Sequence, residues 1–106
     1  MSHVTIDDVA KAVTIQPGAI VSKVVHRDDD LNVTVFAFDA GEGLTQHTAS
    51  RPAIVQVLTG RLQLTIEGEV VSAVPGTWIH MSPGAEHAIV SVEPTVMLLT
   101  LLRPES

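Results

Sequence analysis

Short runs of β-favouring residues alternate with turn residues along most of the chain. The runs are rich in valine, isoleucine, leucine and threonine, and the segments between them are rich in glycine, proline, aspartate and serine. The runs cover residues 19–26, 32–39, 45–49, 53–58, 62–67, 70–74, 77–81, 87–92 and 95–102. Eight or nine short strands at this spacing predict an all-β fold, either a small sandwich or a barrel.

The hydrophobic pattern also predicts which strands are covered. Residues 53–58 and 96–102 are apolar at successive positions rather than at alternate ones, which is typical of strands buried on both faces. One of these faces is expected to contact a second subunit, so the sequence predicts a homodimer. Residues 27–30 form a polar turn between two β-rich runs, and this predicts an antiparallel pair.

The N-terminal region has a different pattern. Thr5 stands three residues before Asp8, apolar residues follow, and Pro17 with Gly18 ends the segment. This is the arrangement of a capped helix, so a short helix or turn is expected over residues 5–13.

Length, charge and composition narrow the classes of function. The chain of 106 residues is expected to form one domain over residues 1–106, and its net charge of −6 with six basic residues argues against a nucleic-acid partner. Cysteine is absent, so a metal would need His, Asp, Glu or Gln ligands. The N-terminus resembles no signal peptide and no apolar run could cross a membrane, which predicts a soluble, cytoplasmic protein without a membrane partner.

Two segments that lead from a glycine to a histidine carry the candidate chemistry. One runs from Gly41 to His47 and the other from Gly76 to His87, and each histidine precedes apolar residues. Such a histidine starts a strand and can point its imidazole inward. The two side chains are therefore expected to meet inside one barrel.

These segments resemble the two conserved motifs of the cupin superfamily. The first motif extends over residues 41–60 with the expected spacing, but Ala49 replaces its second histidine and Ala53 replaces its glutamate. The second motif extends over residues 76–91, with its proline displaced by one position and Ser91 in place of its asparagine. The resemblance implies a double-stranded β-helix, which is a jelly-roll-like barrel.

The resemblance also implies a site. In such proteins three histidines and a glutamate hold a metal, and this chain keeps His47 and His87, with His80 as the candidate for a third ligand. A divalent transition metal such as Zn, Ni, Fe or Mn is the cofactor this implies. The expected pocket around it contains four further residues: Trp78, Ala49, Ala53 and Ser91.

Two main functions stay open at this point. In the first, a metal-dependent cupin acts on or binds a small polar metabolite, with dioxygenase-type oxidoreductase chemistry as the implied activity. In the second, the two alanines have removed the metal, and the barrel binds a small molecule without catalysis. A dimeric scaffold with neither metal nor ligand is the least specific alternative.

Overall fold

A computed structural model of the chain describes residues 2–104, which form a 3₁₀ helix and seven antiparallel strands. The helix spans Val9–Ala12, and the strands are β1 (Ile20–Arg27), β2 (Leu31–Phe38), β3 (Gly43–His47), β4 (Ala53–Ile66), β5 (Glu69–Ala73), β6 (Trp78–Met81) and β7 (His87–Leu102). The predicted all-β fold and the predicted β1–β2 hairpin are confirmed.

Two long strands, β4 and β7, pair along most of their length and organise the molecule. Residues 53–57 of β4 and residues 97–101 of β7 form the centre of one sheet. In this sheet β6 lies beside β4 at one edge, and β2 lies beside β7 with β1 at the other edge. Their other halves, residues 62–66 and 87–91, form a second sheet with β5 and β3. The two sheets face each other around one core, as in a β-sandwich that closes into a barrel.

The bends that turn β4 and β7 from one sheet into the other replace two predicted turns. The breaks expected between the runs 53–58 and 62–67 and between the runs 87–92 and 95–102 are wrong, because Gly60 and Pro94 lie within continuous strands at register shifts between β4 and β7. Gly60 has a φ of +86°, and a Cβ there would overlap the carbonyl oxygen of Pro94 and the hydroxyl of Thr95. Glycine therefore permits both the left-handed backbone and the close approach of the two strands.

The core lies between the inner faces of the two sheets. Alternate residues of each half-strand point into it, as the two-residue period of a strand requires. The buried residues that form it are Phe38, Ala53, Val55, Val57, Leu62, Leu64, Ala73, Met81, Ile89 and Met97.

The N-terminal segment covers part of the outside of the barrel. Val35 and Ala37 lie on the outer face of β2, yet both are fully buried, and the 3₁₀ helix packs against this strand. The predicted capped helix is shorter than expected, because only four residues are helical and the side chain of Asp8 makes no capping hydrogen bond. Within residues 2–104, no helix is long and apolar enough to span a membrane.

Candidate functional site

The structure brings His47 and His87 together at one end of the barrel. His47 is the last residue of β3 and lies opposite His87, the first residue of β7. Their ring centroids are 4.1 Å apart and the ring planes meet at 62°. His87 is 8% exposed and continues the inner face of β7, whereas His47 is exposed to solvent. The pair therefore joins the core to the barrel mouth.

Local hydrogen bonds fix the tautomer of both rings. The Nδ1 atom of His47 lies 2.7 Å from the carbonyl oxygen of Thr45, and that of His87 lies 2.9 Å from the carbonyl oxygen of Ala85. A carbonyl oxygen only accepts hydrogen bonds, so Nδ1 must carry the hydrogen in each ring. In the neutral imidazoles, Nε2 is left with a free lone pair. The site thus offers two acceptors on rings that touch.

Close packing of β3 on β7 positions the exposed histidine. Gly43 starts β3, and a Cβ there would overlap the carbonyl oxygen of Ile89 on β7. A register shift between Leu44 and His47 then brings His47 opposite His87. Such a shift bends a strand and redirects its side chains.

Two polar residues that precede the pair in sequence are bonded to each other, and Gln46 is the one that sequence reasoning missed. The Nε2 atom of Gln46 donates to a carboxylate oxygen of Glu86 at 2.6 Å, and the backbone N–H of Glu86 donates to the carboxylate of Glu67 at 2.9 Å. Gln46 and Glu86 each precede one of the two histidines in sequence. This matched position is the signal that could have identified Gln46.

The remaining positions of the implied metal site carry no donor. Ala53 is 3% exposed and points into the core, and Ala49 is half-buried. Residues 2–104 contain no cluster of three His, Asp or Glu side chains that could hold a metal ion. The chain therefore cannot supply the full set of three histidines and a glutamate, although it has two of these imidazoles, His47 and His87.

His80 and Trp78 lie on the other side of the sheet from this pair. They pair with Ile54 and Gln56 of β4, on the opposite face from the buried Val55. Trp78 is 58% exposed, and its ring stacks beside that of His80 with centroids 6.4 Å apart. The expectations that His80 completes the metal site and that Trp78 lines the pocket are therefore corrected. The register of β6 against β4 determines the face on which these two side chains lie, and this register cannot be read from the sequence.

Ser91 has a structural role rather than a place in the pocket wall. It is 2% exposed, and its hydroxyl donates to the carbonyl oxygen of Glu93 and lies 3.4 Å from the hydroxyl of Thr95. These bonds fix the bend of β7, so the expectation that Ser91 contacts a ligand is corrected as well.

Comparison with solved structures identifies the fold. A conserved protein of unknown function from Streptococcus pyogenes is 31% identical, with a TM-score of 0.87 over 100% of this chain and 93% of that one. A cupin 2 conserved barrel domain protein from Leptotrichia buccalis is 32% identical, with a TM-score of 0.83 over 89% of this chain and 46% of that one. A cupin superfamily protein from Desulfitobacterium hafniense is 19% identical, with a TM-score of 0.84 over 89% of this chain and 86% of that one, and supports the fold alone.

These similarities define a double-stranded β-helix, as the two motifs implied. The chain belongs to the cupin superfamily and is a small cupin of the cupin 2 type. No protein-family model and no curated protein matches its sequence.

Proposed function

We propose that this cupin binds a small polar metabolite at the barrel mouth through the Nε2 atoms of His47 and His87. The observation that supports this most directly is the tautomer: both Nδ1 atoms are bonded to backbone carbonyl oxygens, which leaves two neighbouring acceptors without a donor among the described residues. A polar group at a partly buried position is stabilised when it gains a hydrogen-bond partner. A ligand with hydroxyl or N–H groups would supply that partner.

The surroundings of the pair restrict the ligand further. Leu64 and Met97 fill the interior of the barrel, so the ligand stays at the mouth and must be small. The carboxylate of Glu86, which accepts a hydrogen bond from Gln46, precedes His87 in sequence and brings a negative charge to this end of the barrel. Neutral polyols, sugars and hydroxy compounds fit this arrangement better than strongly anionic ligands.

Metal binding is a second candidate, and the same tautomer favours it. A metal binds the unprotonated nitrogen of a neutral imidazole, and a backbone carbonyl on the other nitrogen orients the ring. Two imidazoles would hold a divalent ion weakly, with water or ligand atoms as its other donors, and the ion would supply Lewis-acid chemistry. Dioxygenase-type activity is not part of the proposal, because two protein donors do not form a firmly held centre.

Nuclear magnetic resonance of the histidine side chains tests the proposal. Long-range ¹H–¹⁵N spectra should show both rings with the hydrogen on Nδ1, and titration with a panel of polyols, sugars and small hydroxy acids should shift the Nε2 signals of both rings saturably. His87→Ala should abolish the response, whereas the matched control His80→Ala on the outer face should not change it. If no compound saturates, or if the two variants behave alike, the proposal is wrong.

Calorimetric titration with Zn²⁺ or Ni²⁺ separates the two candidates. Ala49→His combined with Ala53→Glu should raise metal affinity above that of the parent, since these substitutions add the missing donors at cupin ligand positions. A parent that already binds one ion per chain, and loses it in His87→Ala, would favour the metal-binding candidate. A parent that binds no ion would exclude the metal-binding candidate and leave metabolite binding as the only candidate.

A further inference from the structure

A second cavity lies outside the barrel, away from the histidine pair. It is a cleft open to solvent, with a volume of about 440 Å³, and lies between the N-terminal segment and the end of the β1–β2 hairpin. Val4 and Ile6 from the segment and Leu31 and Val33 from β2 provide apolar walls. The other lining residues are polar: Ser2, His3, His26 and Asp28. Cavities of roughly 300–1,000 Å³ with mostly apolar walls and a few polar groups are typical of small-molecule sites.

A strand irregularity directs His26 into this cavity. The register of β1 against β2 shifts between Val24 and His26, so that Val25 has no partner and His26 lies opposite Val33. In unbroken register His26 would pair with Asn32 and lie on the other face of the sheet. The bulge therefore places an imidazole among the apolar residues of the outer face.

The hairpin turn holds a carboxylate beside this imidazole. Oδ1 of Asp28 accepts hydrogen bonds from the backbone N–H groups of Asp30 and Leu31 at 2.8 and 3.0 Å, and Oδ2 lies 2.7 Å from Nε2 of His26. The bond from His26, followed by the two backbone bonds, lowers the pKa of Asp28 from 3.8 to about 2. The ionised carboxylate only accepts, so His26 donates to it through Nε2.

The charge of the wall selects among ligands. Among residues 2–104, no lysine or arginine lines the cavity, and Asp28 is its only carboxylate. Asp28 therefore gives this wall a carboxylate without a lysine or arginine beside it, in a chain whose net charge is −6. An anion would be repelled, whereas a cation with an apolar body matches both the charge and the apolar walls.

We propose that this cavity is a binding site for small organic ammonium compounds, with the ammonium group at the carboxylate of Asp28 and the apolar body between Val4, Ile6, Leu31 and Val33. The site is separate from the barrel mouth and does not depend on the function proposed there. The bulge at Val25 and the hydrogen bonds of the turn hold the polar groups in place, so little ordering is needed when a ligand binds.

Three probes of equal size and different charge test this site in the full chain: benzylammonium, benzyl alcohol and benzoate. In ¹H–¹⁵N spectra, benzylammonium should shift the backbone amides of Leu31 and Val33 saturably, benzyl alcohol should bind more weakly, and benzoate should bind least. Asp28→Asn removes the charge while its amide oxygen can still accept the turn hydrogen bonds. It should weaken benzylammonium binding about three- to tenfold, as expected for a partly exposed ion pair with a hydrogen bond.

Asp29→Asn is the matched control, since it removes the same charge from the neighbouring position of the turn, outside the cavity wall. It should leave benzylammonium binding unchanged, and so should His87→Ala at the barrel mouth. The proposal is overturned if no probe saturates, if benzoate binds as well as benzylammonium, or if Asp29→Asn weakens binding as much as Asp28→Asn. Shifts confined to the residues around His47 and His87 would also overturn it, and would instead concern the barrel mouth.

Discussion

At the residue scale, one buried threonine ties together the bend of the two long strands. Thr95 is fully buried, and its hydroxyl accepts from the backbone N–H of Arg61 at 2.9 Å. The same hydroxyl lies 2.7 Å from the carbonyl oxygen of Glu93 and 3.1 Å from that of Arg61, and its single hydrogen serves one of them. These contacts satisfy backbone groups that the register shifts remove from the regular ladder.

Thr95→Val should therefore destabilise the protein although it keeps the shape of the side chain. Loss of the hydroxyl leaves buried backbone groups without a partner, which costs about 1–3 kcal/mol of the free energy of unfolding. Urea denaturation measures the change. Thr59→Val, at an exposed position of β4, should have little effect, and equal losses in the two variants would contradict this account.

The protein should become less stable in acid as two aspartates, Asp28 and Asp39, lose their stabilising contribution. The bond from His26, followed by turn N–H groups, lowers the pKa of Asp28 to about 2, and the backbone N–H groups of Gly18 and Ala40 lower that of Asp39. A carboxylate with a lowered pKa in the folded state stabilises the fold above its unfolded pKa and loses this contribution as the pH falls. The loss should occur mainly between pH 4 and pH 2, as the unfolded and folded values for Asp28 indicate.

Urea midpoints at pH 6 and pH 3 measure this effect. The decrease between the two values should be smaller in Asp28→Asn and in Asp39→Asn than in the parent. A decrease as large as that of the parent in both variants would show that other groups control the acid response.

At the scale of elements, the N-terminal segment acts as a cover for β2. Deletion of residues 2–13 removes the 3₁₀ helix from β2 and should expose the outer face of this strand, where Val35 and Ala37 are fully buried. We expect the free energy of unfolding to fall by about 2 kcal/mol or more, because burial of one valine side chain contributes about this much and smaller contacts are lost with it. Deletion of residues 2–6 alone, which retains the helix, should cost much less, and a similar loss in both deletions would contradict the assigned role of the helix.

The same scale shows what the sequence could and could not predict. Composition and turn residues located the strands to within a few residues, and the glycine-to-histidine spacing identified His47 and His87. Turn chemistry at Gly60 and Pro94 was misleading, because the same residues that end strands also form bulges within them. His80 could not be placed, since a shift of one residue in register moves a side chain to the other face.

At the scale of the whole molecule, half of the outer face is left without a cover. The N-terminal segment packs on β2, whereas the outer positions of β6, β4 and β7 carry Trp78, His80, Ile54, Gln56, Leu98 and Thr100. None of these six residues is an Asp, Glu, Lys or Arg, although the chain has a net charge of −6. Two copies of an acidic chain repel each other least across such a face, so a homodimer stays our prediction.

Leu98→Lys should disrupt this dimer, because it places a charge at the centre of the face. Leu99 and Leu101 are unsuitable, since they point to the inside of the barrel. Analytical ultracentrifugation should show dimers of the parent and monomers of the variant, with Val90→Lys on the other sheet as the control. A monomeric parent at tens of micromolar would contradict the prediction.

Trp78 provides a second readout of this interface. It is the single tryptophan of the chain and is more than half exposed, so its fluorescence reports this face alone. Emission should shift to shorter wavelength as the parent concentration rises, and should stay constant in Leu98→Lys.

The position of β7 in chain order has a consequence during synthesis on the ribosome. This strand pairs with β2, β3 and β4, and all three are translated before it. Until it emerges, the nascent chain holds a hairpin of β1 and β2 and another of β4 and β5, each with an open edge and an uncovered apolar face. Such edges invite pairing with other chains, so the nascent protein should bind chaperones until translation has passed β7.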